Sequence, residues 1–353
     1  MDEDYLVKAK SLLIDLLKSY TPPGYEFRLE PVLRRWADEL GFDEFYVDDV
    51  GNIFLRCGSG GKTVLLAGHL DTVPGEIDVR IDGDTVWGRG AVDAKSSLAA
   101  FILGAAWSIL DRSSLRVYAV GLVQEEDSGL GARHLVNSNF KADHIIVGEP
   151  TNFGIAVAYR GSILVRVLTT AHGGHSSAPY MGESALDKLL KFINLLKGRF
   201  SGDSYEEVSH AVTVLRAGDW FGSLPDSGEA YINIRYPSKY SPEEIIEELR
   251  LFADESDVDL QVNSIDRPVE VSVNVEVVRA MVKSILKMGL KPRIVKKTGT
   301  SDMNTLVNIS KSIAAFGPGD SKLSHTRYEW IKISDIVLGA RVISNTLLEL
   351  AKI

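Results

Sequence analysis

Four short apolar runs, separated by stretches with helical spacing, constrain the fold of this chain more than any other feature. The runs are TVLLAG (63–68), SLRVYAVGLV (114–123), HIIVG (144–148) and SIAAFG (312–317). Runs of this length and composition are typical of buried strands. Helical segments between them would cross the faces of the sheet, which favours parallel pairing. The sequence therefore predicts an α/β fold with a parallel sheet covered by helices on both faces.

A second pattern begins near residue 162. Strand, helix, strand, strand, helix and strand follow one another as SILVRVLTT, SALDKLLKFINLLKG, HAVTVLRAG, EAYINIRYP, SPEEIIEELRLFADE and VDLQVNSI. This β-α-β-β-α-β order is that of a ferredoxin-like unit. The chain has 353 residues, of which 45% are hydrophobic, enough for two cores. We predict one domain from residues 1–161 and 268–353, and a second, inserted domain from residues 162–267.

Composition excludes several classes of protein. The net charge of −9 argues against a nucleic-acid partner, since such proteins present basic faces. The longest helix-like apolar stretch, residues 97–110, is shorter than the ~18 residues of a membrane span, so no membrane partner is expected. Cys57 is the single cysteine, which fits a reducing compartment. The acidic start, MDEDYLVK, lacks the features of a signal peptide. A cytoplasmic location is expected.

Acidic and histidine side chains follow the predicted strands. In a parallel α/β sheet, ligands bind beyond the carboxyl ends of the strands. The residues expected there are His69, Asp71, Asp93, Glu125, Glu126, Asp127, Glu149 and His325. So many carboxylates would repel one another unless a cation lay between them, and histidine with carboxylate ligands suits zinc, cobalt or manganese. Because one zinc takes three or four protein ligands, the set favours two ions that share a bridging carboxylate.

Seven short motifs carry a resemblance to a known family. They are, in chain order, GHLDTVP, GRGAVDAK, QEED, GEP, AHGGHSSAP, INIRYP and GPGDSKLSH. They resemble the motifs of the dinuclear zinc metallopeptidase family that includes carboxypeptidase G, acetylornithine deacetylase and succinyl-diaminopimelate desuccinylase. The resemblance spans almost the whole chain. It implies a zinc-peptidase-like α/β catalytic domain with an inserted ferredoxin-like lid and dimerisation domain, and hence a homodimer.

The resemblance also implies roles for the acidic and histidine residues. His69 and Glu149 would hold one divalent ion, zinc or cobalt, and Glu126 and His325 the other, with Asp93 as the bridge. Asp71 would hydrogen-bond His69 from behind and fix its ring. Glu125 would be the general base, taking a proton from water and delivering it to the leaving amine.

Further residues resemble family positions that contact substrate. His175 in HSSAP would act as an oxyanion donor, and Arg235 would bind a substrate carboxylate through its guanidinium fork. Gly299, Thr300 and Ser301, in the GTSD stretch, would line the substrate pocket. One position departs from the family pattern, because Gly222 in GSLPD stands where many members have asparagine. A substrate contact of that asparagine is lost here or is made by another group.

The amino-acid sequences of these motifs are most similar to those of the lysine-releasing branch of this family. That likeness implies a hydrolase that frees lysine, and in a parallel route ornithine, from the amino-group carrier protein LysW in lysine and arginine biosynthesis. The amino acid would be joined through its α-amino group to the γ-carboxyl of the terminal glutamate of the carrier. Because the carrier is acidic, a basic patch is expected on the enzyme. The candidates are residues 291–297, Lys188, Lys191, Lys197 and Arg199.

Other functions remain open on the sequence. An acetylornithine deacetylase or a succinyl-diaminopimelate desuccinylase would use the same metal chemistry on a small N-acyl amino acid. GHSSA (174–178) lacks the last glycine of a serine-hydrolase nucleophile elbow, and GSGGKT (58–63) precedes a strand, where a phosphate loop would follow one. An inactive metal-binding scaffold is the non-enzyme alternative.

Overall fold

The computed structural model describes residues 3–108 and 113–353. The last two residues of the apolar stretch 97–110 lie outside the described residues. The chain divides into two compact units. The larger unit contains Met1–Val157, Val271–Val295 and Ser301–Ile353, and the smaller contains Ala158–Glu270 and Lys296–Thr300. Within the described part, no helix has the length and apolar character needed to cross a membrane.

The described residues form helices and strands with the following bounds. The helices are α1 (Glu3–Lys18), α2 (Glu30–Leu40), α3 (Lys95–Ala106), α4 (Leu130–Asn137), α5 (Ala185–Arg199), α6 (Pro242–Ser256), α7 (Glu276–Lys287), α8 (Met303–Leu306) and α9 (Ile333–Leu350). The strands are β1 (Glu44–Val47), β2 (Ile53–Cys57), β3 (Lys62–His69), β4 (Arg80–Asp82), β5 (Thr85–Trp87), β6 (Leu115–Leu122), β7 (His144–Gly148), β8 (Ile155–Tyr159), β9 (Gly161–Thr170), β10 (Gly174–His175), β11 (Ser209–Ala217), β12 (Ser223–Leu224), β13 (Ser227–Tyr236), β14 (Asp259–Asp266), β15 (Val269–Glu270), β16 (Ile294–Lys297), β17 (Ile313–Phe316) and β18 (Trp330–Lys332).

The central sheet of the larger unit is mixed, whereas the sequence predicts a parallel one. Its strand order is β1-β2-β6-β3-β7-β17-β8. The four predicted apolar strands are parallel to one another, but β1, β2 and β8 run against their neighbours. The turn between β1 and β2 explains the first exception. Asp48 Oδ1 accepts the backbone N–H groups of Val50, Gly51 and Asn52, and so short a turn can only join antiparallel strands.

The register of the parallel strands brings their carboxyl ends to one edge. His69, the last residue of β3, lies opposite Leu122, the last residue of β6. On the other side of β3, Ala67 lies opposite Val147, and Glu149 follows directly after β7. Glu125 and Glu126 begin three residues after β6 ends. The acidic residues after these strands are therefore neighbours in space although they are far apart in the chain.

Helix α3 packs closely against the same edge of the sheet. Every side chain from Lys95 to Ala105 is buried. Glycine at the strand ends permits the approach: a Cβ atom on Gly317 would lie 2.2 Å from Ser97 Oγ and 2.6 Å from Glu149 O. Asp93 lies two residues before α3. The close packing of α3 therefore determines how near Asp93 comes to the strand ends.

We expect Gly317→Ala to destabilise the protein. The added methyl group has no space between Ser97 and the backbone of Glu149, and overpacking of this kind typically costs about 1–3 kcal/mol. Gly61→Ala is the matched control, because a Cβ atom added there would have no other atom within 4 Å. Urea unfolding of both variants measures the difference. Equal stabilities would show that the edge of the sheet tolerates a wider separation from α3.

The smaller unit has the β-α-β-β-α-β order that the sequence predicts. Strands β9, β11, β13 and β14 form one antiparallel sheet in the order β11-β13-β9-β14, with α5 and α6 contributing to its apolar core. Helix α6 begins with a capping box between Ser241 and Glu244. Arg235 lies near the end of β13, opposite Ser162 of β9.

Candidate metal centre

His69 is buried at the end of β3 and is held from behind. Only 1% of its surface is exposed, and Nδ1 donates to the backbone oxygen of Asp71 at 2.9 Å. The Asp71 carboxylate lies 3.5 Å from the same nitrogen. The other ring nitrogen, Nε2, points to Asp93 Oδ1 at 3.3 Å. Nδ1 thus orients the ring, and Nε2 is the atom presented to the site.

The carboxylate of Asp71 has a second set of contacts that the sequence did not reveal. Its two oxygens accept the backbone N–H groups of Glu125 and Glu126, at 3.1 and 2.9 Å. The preceding residue, Gln124, has a φ of 57° and donates its N–H to Glu26 Oε1 at 3.0 Å. These contacts join residues that are distant in the chain, so no local sequence pattern predicts them. Asp71 therefore orders both the histidine and the loop that carries the two glutamates.

We expect Asp71→Asn to weaken metal binding without unfolding the protein. An amide has one accepting oxygen, so its NH₂ group would face the N–H of Glu125 or Glu126. Loss of such an orienting contact typically costs 10–100-fold in metal affinity or activity. Titration with cobalt measures the affinity. An unchanged affinity would show that the loop after β6 holds its position without the carboxylate.

Asp93 lies between the two histidines. Its Oδ1 is 3.3 Å from His69 Nε2, and its Oδ2 is 3.4 Å from His325 Nε2. The expectation from sequence that Asp93 follows a strand of the main sheet is wrong. The preceding strand, β5, belongs to a separate sheet with β4 and β18, and Asp93 reaches the site from the segment before α3. The carboxylate nevertheless presents one oxygen to each imidazole.

His325 and Glu126 complete the far side of the group. His325 lies in the loop between β17 and β18, and its Nε2 is 3.1 Å from Glu126 Oε1. One ligand atom each from His69, Asp93 and Glu126 falls within a 4.8 Å cluster. Half of the His325 side chain, 53%, is exposed, so the site opens to solvent on this side.

Three further acidic residues, Glu125, Glu149 and Asp302, add carboxyl groups to the site. Burial and neighbouring carboxylates raise the pKa of Glu125 and Glu149 well above the usual range. Burial raises the pKa of Asp302 to about 7. Asp302 ends the GTSD stretch, which was expected from the sequence to line the substrate pocket and not to join the acidic residues at the metal site. Crowded carboxyl groups beside two imidazoles fit divalent cations, which would relieve the repulsion.

The residues expected to contact substrate lie mainly in the smaller unit. Arg235 Nη1 donates to Thr300 Oγ1 at 3.0 Å. His175 is exposed on β10, and its Nδ1 accepts the N–H of Ser177 at 3.1 Å, so Nε2 is the protonated nitrogen when the ring is neutral. Gly299 and Thr300 also lie in this unit, whereas Ser301 lies in the larger one. There its hydroxyl accepts the N–H of Met303 at 3.2 Å.

Four of the eight basic residues suggested as a carrier-binding patch are paired with acids. Lys188 lies 2.6 Å from Asp257, and Lys296 lies about equally close to Glu206 and Glu270, at 3.0 and 2.9 Å. Lys191 pairs with Glu255 and Arg199 with Glu248. Local carboxylates therefore offset much of the charge, because side chains from neighbouring elements interleave both signs.

The comparison with family profiles assigns the chain to a family. The profile described as Peptidase family M20/M25/M40 matches residues 65–349. That range contains every candidate metal ligand. The chain belongs to this family of hydrolases.

Curated relatives cover nearly the whole chain. A protein of Aeropyrum pernix is 43% identical over 96% of this chain and 95% of its own length, and bears the provisional name LysW-lysine/LysW-ornithine hydrolase. One from Sulfurisphaera tokodaii, named LysW-lysine/LysW-ornithine hydrolase, is 36% identical over 97% of this chain and 96% of its own. The M20 family metallo-carboxypeptidase Sso-CP2 of Sulfolobus solfataricus shares the fold, with a TM-score of 0.81 at 18% identity, covering 98% of this chain and 100% of its own.

Proposed function

We propose that this chain is a two-metal amide hydrolase that releases lysine, or ornithine, from the carrier protein LysW. The bond cleaved joins the α-amino group of the amino acid to the γ-carboxyl of the carrier's terminal glutamate. Addition of water yields a free carboxylate on the carrier and a free amino group on the product. The reaction would serve lysine and arginine biosynthesis in the cytoplasm.

The observation that carries the two-metal proposal is the placement of Asp93 between His69 and His325. One carboxylate that presents a separate oxygen to each of two imidazoles has the form of a bridging ligand. His69 and Glu149 would hold one ion, and Glu126 and His325 the other. Zinc or cobalt suits this donor set. When bound, such a pair polarises the scissile carbonyl and lowers the pKa of water.

Glu125 would move the proton. Its backbone is fixed through Asp71, and burial raises the pKa of its carboxyl. A carboxyl with a raised pKa can take a proton from water at Oε and return it to the nitrogen of the leaving amine. Adjacent residues on one loop would thus have separate tasks, since Glu126 faces His325.

His175 and Arg235 would act on the substrate itself. The hydrogen bond from Ser177 N–H to Nδ1 leaves His175 Nε2–H as a donor for the oxygen of the scissile carbonyl. Arg235, with Thr300 beside it, would bind the free α-carboxylate of the lysine or ornithine part. Gly299 and Ser301 flank Thr300 in the chain and would also contact the substrate.

The choice of substrate rests on the relatives. Proteins named for activity on LysW-lysine and LysW-ornithine are 36–43% identical over almost their full length. The test is a comparison of rates with the zinc- or cobalt-loaded enzyme. We expect faster lysine release from LysW-γ-glutamyl-lysine than deacylation of acetylornithine or succinyl-diaminopimelate. Preference for a small acyl substrate would keep the metal chemistry and reject the carrier. No turnover with metal bound would favour the scaffold alternative.

A homodimer formed through the smaller unit completes the proposal. Support comes from the family resemblance, in which the inserted domain serves as both lid and dimerisation surface. Sedimentation equilibrium of the metal-loaded protein tests the assembly, with a dimer mass expected at micromolar concentration. A monomer at all concentrations would contradict the homodimer.

A further inference from the structure

Glu329 is a fully buried carboxylate that the proposed reaction does not use. None of its surface is exposed, and it lies four residues after His325. Its Oε1 accepts the backbone N–H of His325 at 3.2 Å and Arg89 Nη1 at 3.0 Å. Its Oε2 accepts the backbone N–H of Gly90 at 2.5 Å. A buried carboxylate with three donors is a fixed junction, because each oxygen is satisfied in one geometry.

The junction joins two segments that carry metal ligands. Arg89 and Gly90 precede Asp93 by a few residues, and His325 belongs to the loop before β18. The same segments meet twice more, since Arg89 Nη1 donates to Thr326 O at 3.0 Å and Gly88 N donates to Glu329 O at 3.3 Å. Glu329 is the group that contacts both segments through its side chain and touches the backbone of a ligand residue directly.

Packing constrains His325 less than it constrains His69, so the hydrogen bond to Glu329 matters more for the position of His325. The side chain of His325 is 53% exposed, so packing does little to hold the ring. Its backbone φ is 62°, a conformation that residues with a Cβ seldom adopt. The hydrogen bond from its N–H to Glu329 is therefore a contact that can hold this backbone in place and keep Nε2 directed at Asp93 and Glu126.

We propose that Glu329 is a positioning residue that sets the distance between Asp93 and His325. This distance determines the affinity for the second ion, the one that Glu126 and His325 would hold. This inference rests on the proposed two-metal function. A glutamine at 329 would keep the size of the side chain but would offer one accepting oxygen, and its NH₂ group would face Arg89, Gly90 or the amide of His325.

The test is calorimetric titration of the metal-free full-length protein with cobalt, together with the visible absorption of the bound ion. We expect E329Q to bind the first ion as the parent does and the second ion about 10–100-fold more weakly, with an altered band for the second equivalent. Saturating cobalt should restore kcat while KM stays constant. E329D, which keeps both oxygens, should show a smaller loss and serves if E329Q folds poorly.

The matched control is E229Q. Glu229 also accepts hydrogen bonds from arginines, Arg166 at 2.9 Å and Arg216 at 2.7 Å, but lies in the smaller unit on β13. The E229Q variant should bind both ions with the affinity of the parent protein. Parental binding and spectrum in E329Q, with only a lower unfolding temperature, would overturn the positioning role. If the parent protein binds two ions but cleaves no carrier substrate, only the proposed substrate is overturned. If the parent protein binds a single ion, the two-metal function and the positioning role of Glu329 are both overturned.

Discussion

Replacing Glu125 with glutamine is expected to lower kcat by about 10²–10⁴-fold, the usual contribution of a general acid–base group. Glutamine keeps the shape of the side chain and the backbone hydrogen bond to Asp71. It cannot accept a proton from water or return one to the leaving amine. Steady-state release of lysine from the LysW conjugate measures kcat, and metal analysis of the same sample measures the bound ions.

The metal content decides how this result is interpreted. In the proposed site Glu125 is not a metal ligand, so the variant should retain the parental ion content. Glu126→Gln is the matched comparison at the adjacent position, and it should lose affinity for the ion near His325. If Glu125→Gln keeps the parental kcat, another group moves the proton. If it loses metal, the two glutamates do not have separate tasks.

Replacing Asp93 with asparagine is expected to abolish binding of the ion pair. The amide can present an oxygen to one histidine only, so the NH₂ group would face the other imidazole at about the same distance. The negative charge between the two positions is also removed. We expect at most about one bound ion per chain. We also expect no measurable hydrolysis, because the two-metal chemistry needs both positions filled. Elemental analysis after gel filtration gives the stoichiometry.

Asp127→Asn provides the control for loss of a nearby negative charge. Asp127 follows the two glutamates but is exposed. It should retain the parental stoichiometry and rate. Two tightly bound ions in the Asp93 variant would contradict the bridging assignment, and the search for the shared ligand would then turn to Glu149, a buried carboxylate that directly follows β7.

Much of the fold follows from hydrophobic periodicity. The apolar runs at 63–68, 114–123, 144–148 and 312–317 predict parallel strands, and the structure has them as the neighbouring strands β3, β6, β7 and β17. The β-α-β-β-α-β order of the smaller unit follows from the alternation of its strands and the spacing of its helices. The antiparallel strands β1, β2 and β8 are absent from that prediction. They are short, and pairing direction depends on turn geometry and on partners elsewhere in the chain.

The candidate site divides in the same way. His69, Glu125, Glu126 and Glu149 could be placed together because parallel strands end at a common edge. His325 was also expected after an apolar run, and it lies in the loop that follows β17. Asp93 was expected after a strand of the same sheet, but it reaches the site from the segment between β5 and α3. Glu329 stayed unrecognised, and Asp302 was expected only as part of the GTSD pocket stretch, because a single acidic residue in a loop has no period.

The sequence by itself therefore determined which residue types lie at the edge of the sheet, because side-chain alternation and strand length are local properties of the chain. Only the tertiary structure decided which atoms face each other. It placed the two oxygens of Asp93 between His69 and His325, directed the Asp71 carboxylate to the amides of Glu125 and Glu126, and buried Glu329 against Arg89, Gly90 and His325. These contacts join residues far apart in sequence, and their geometry depends on loop conformation and packing, which no local pattern encodes.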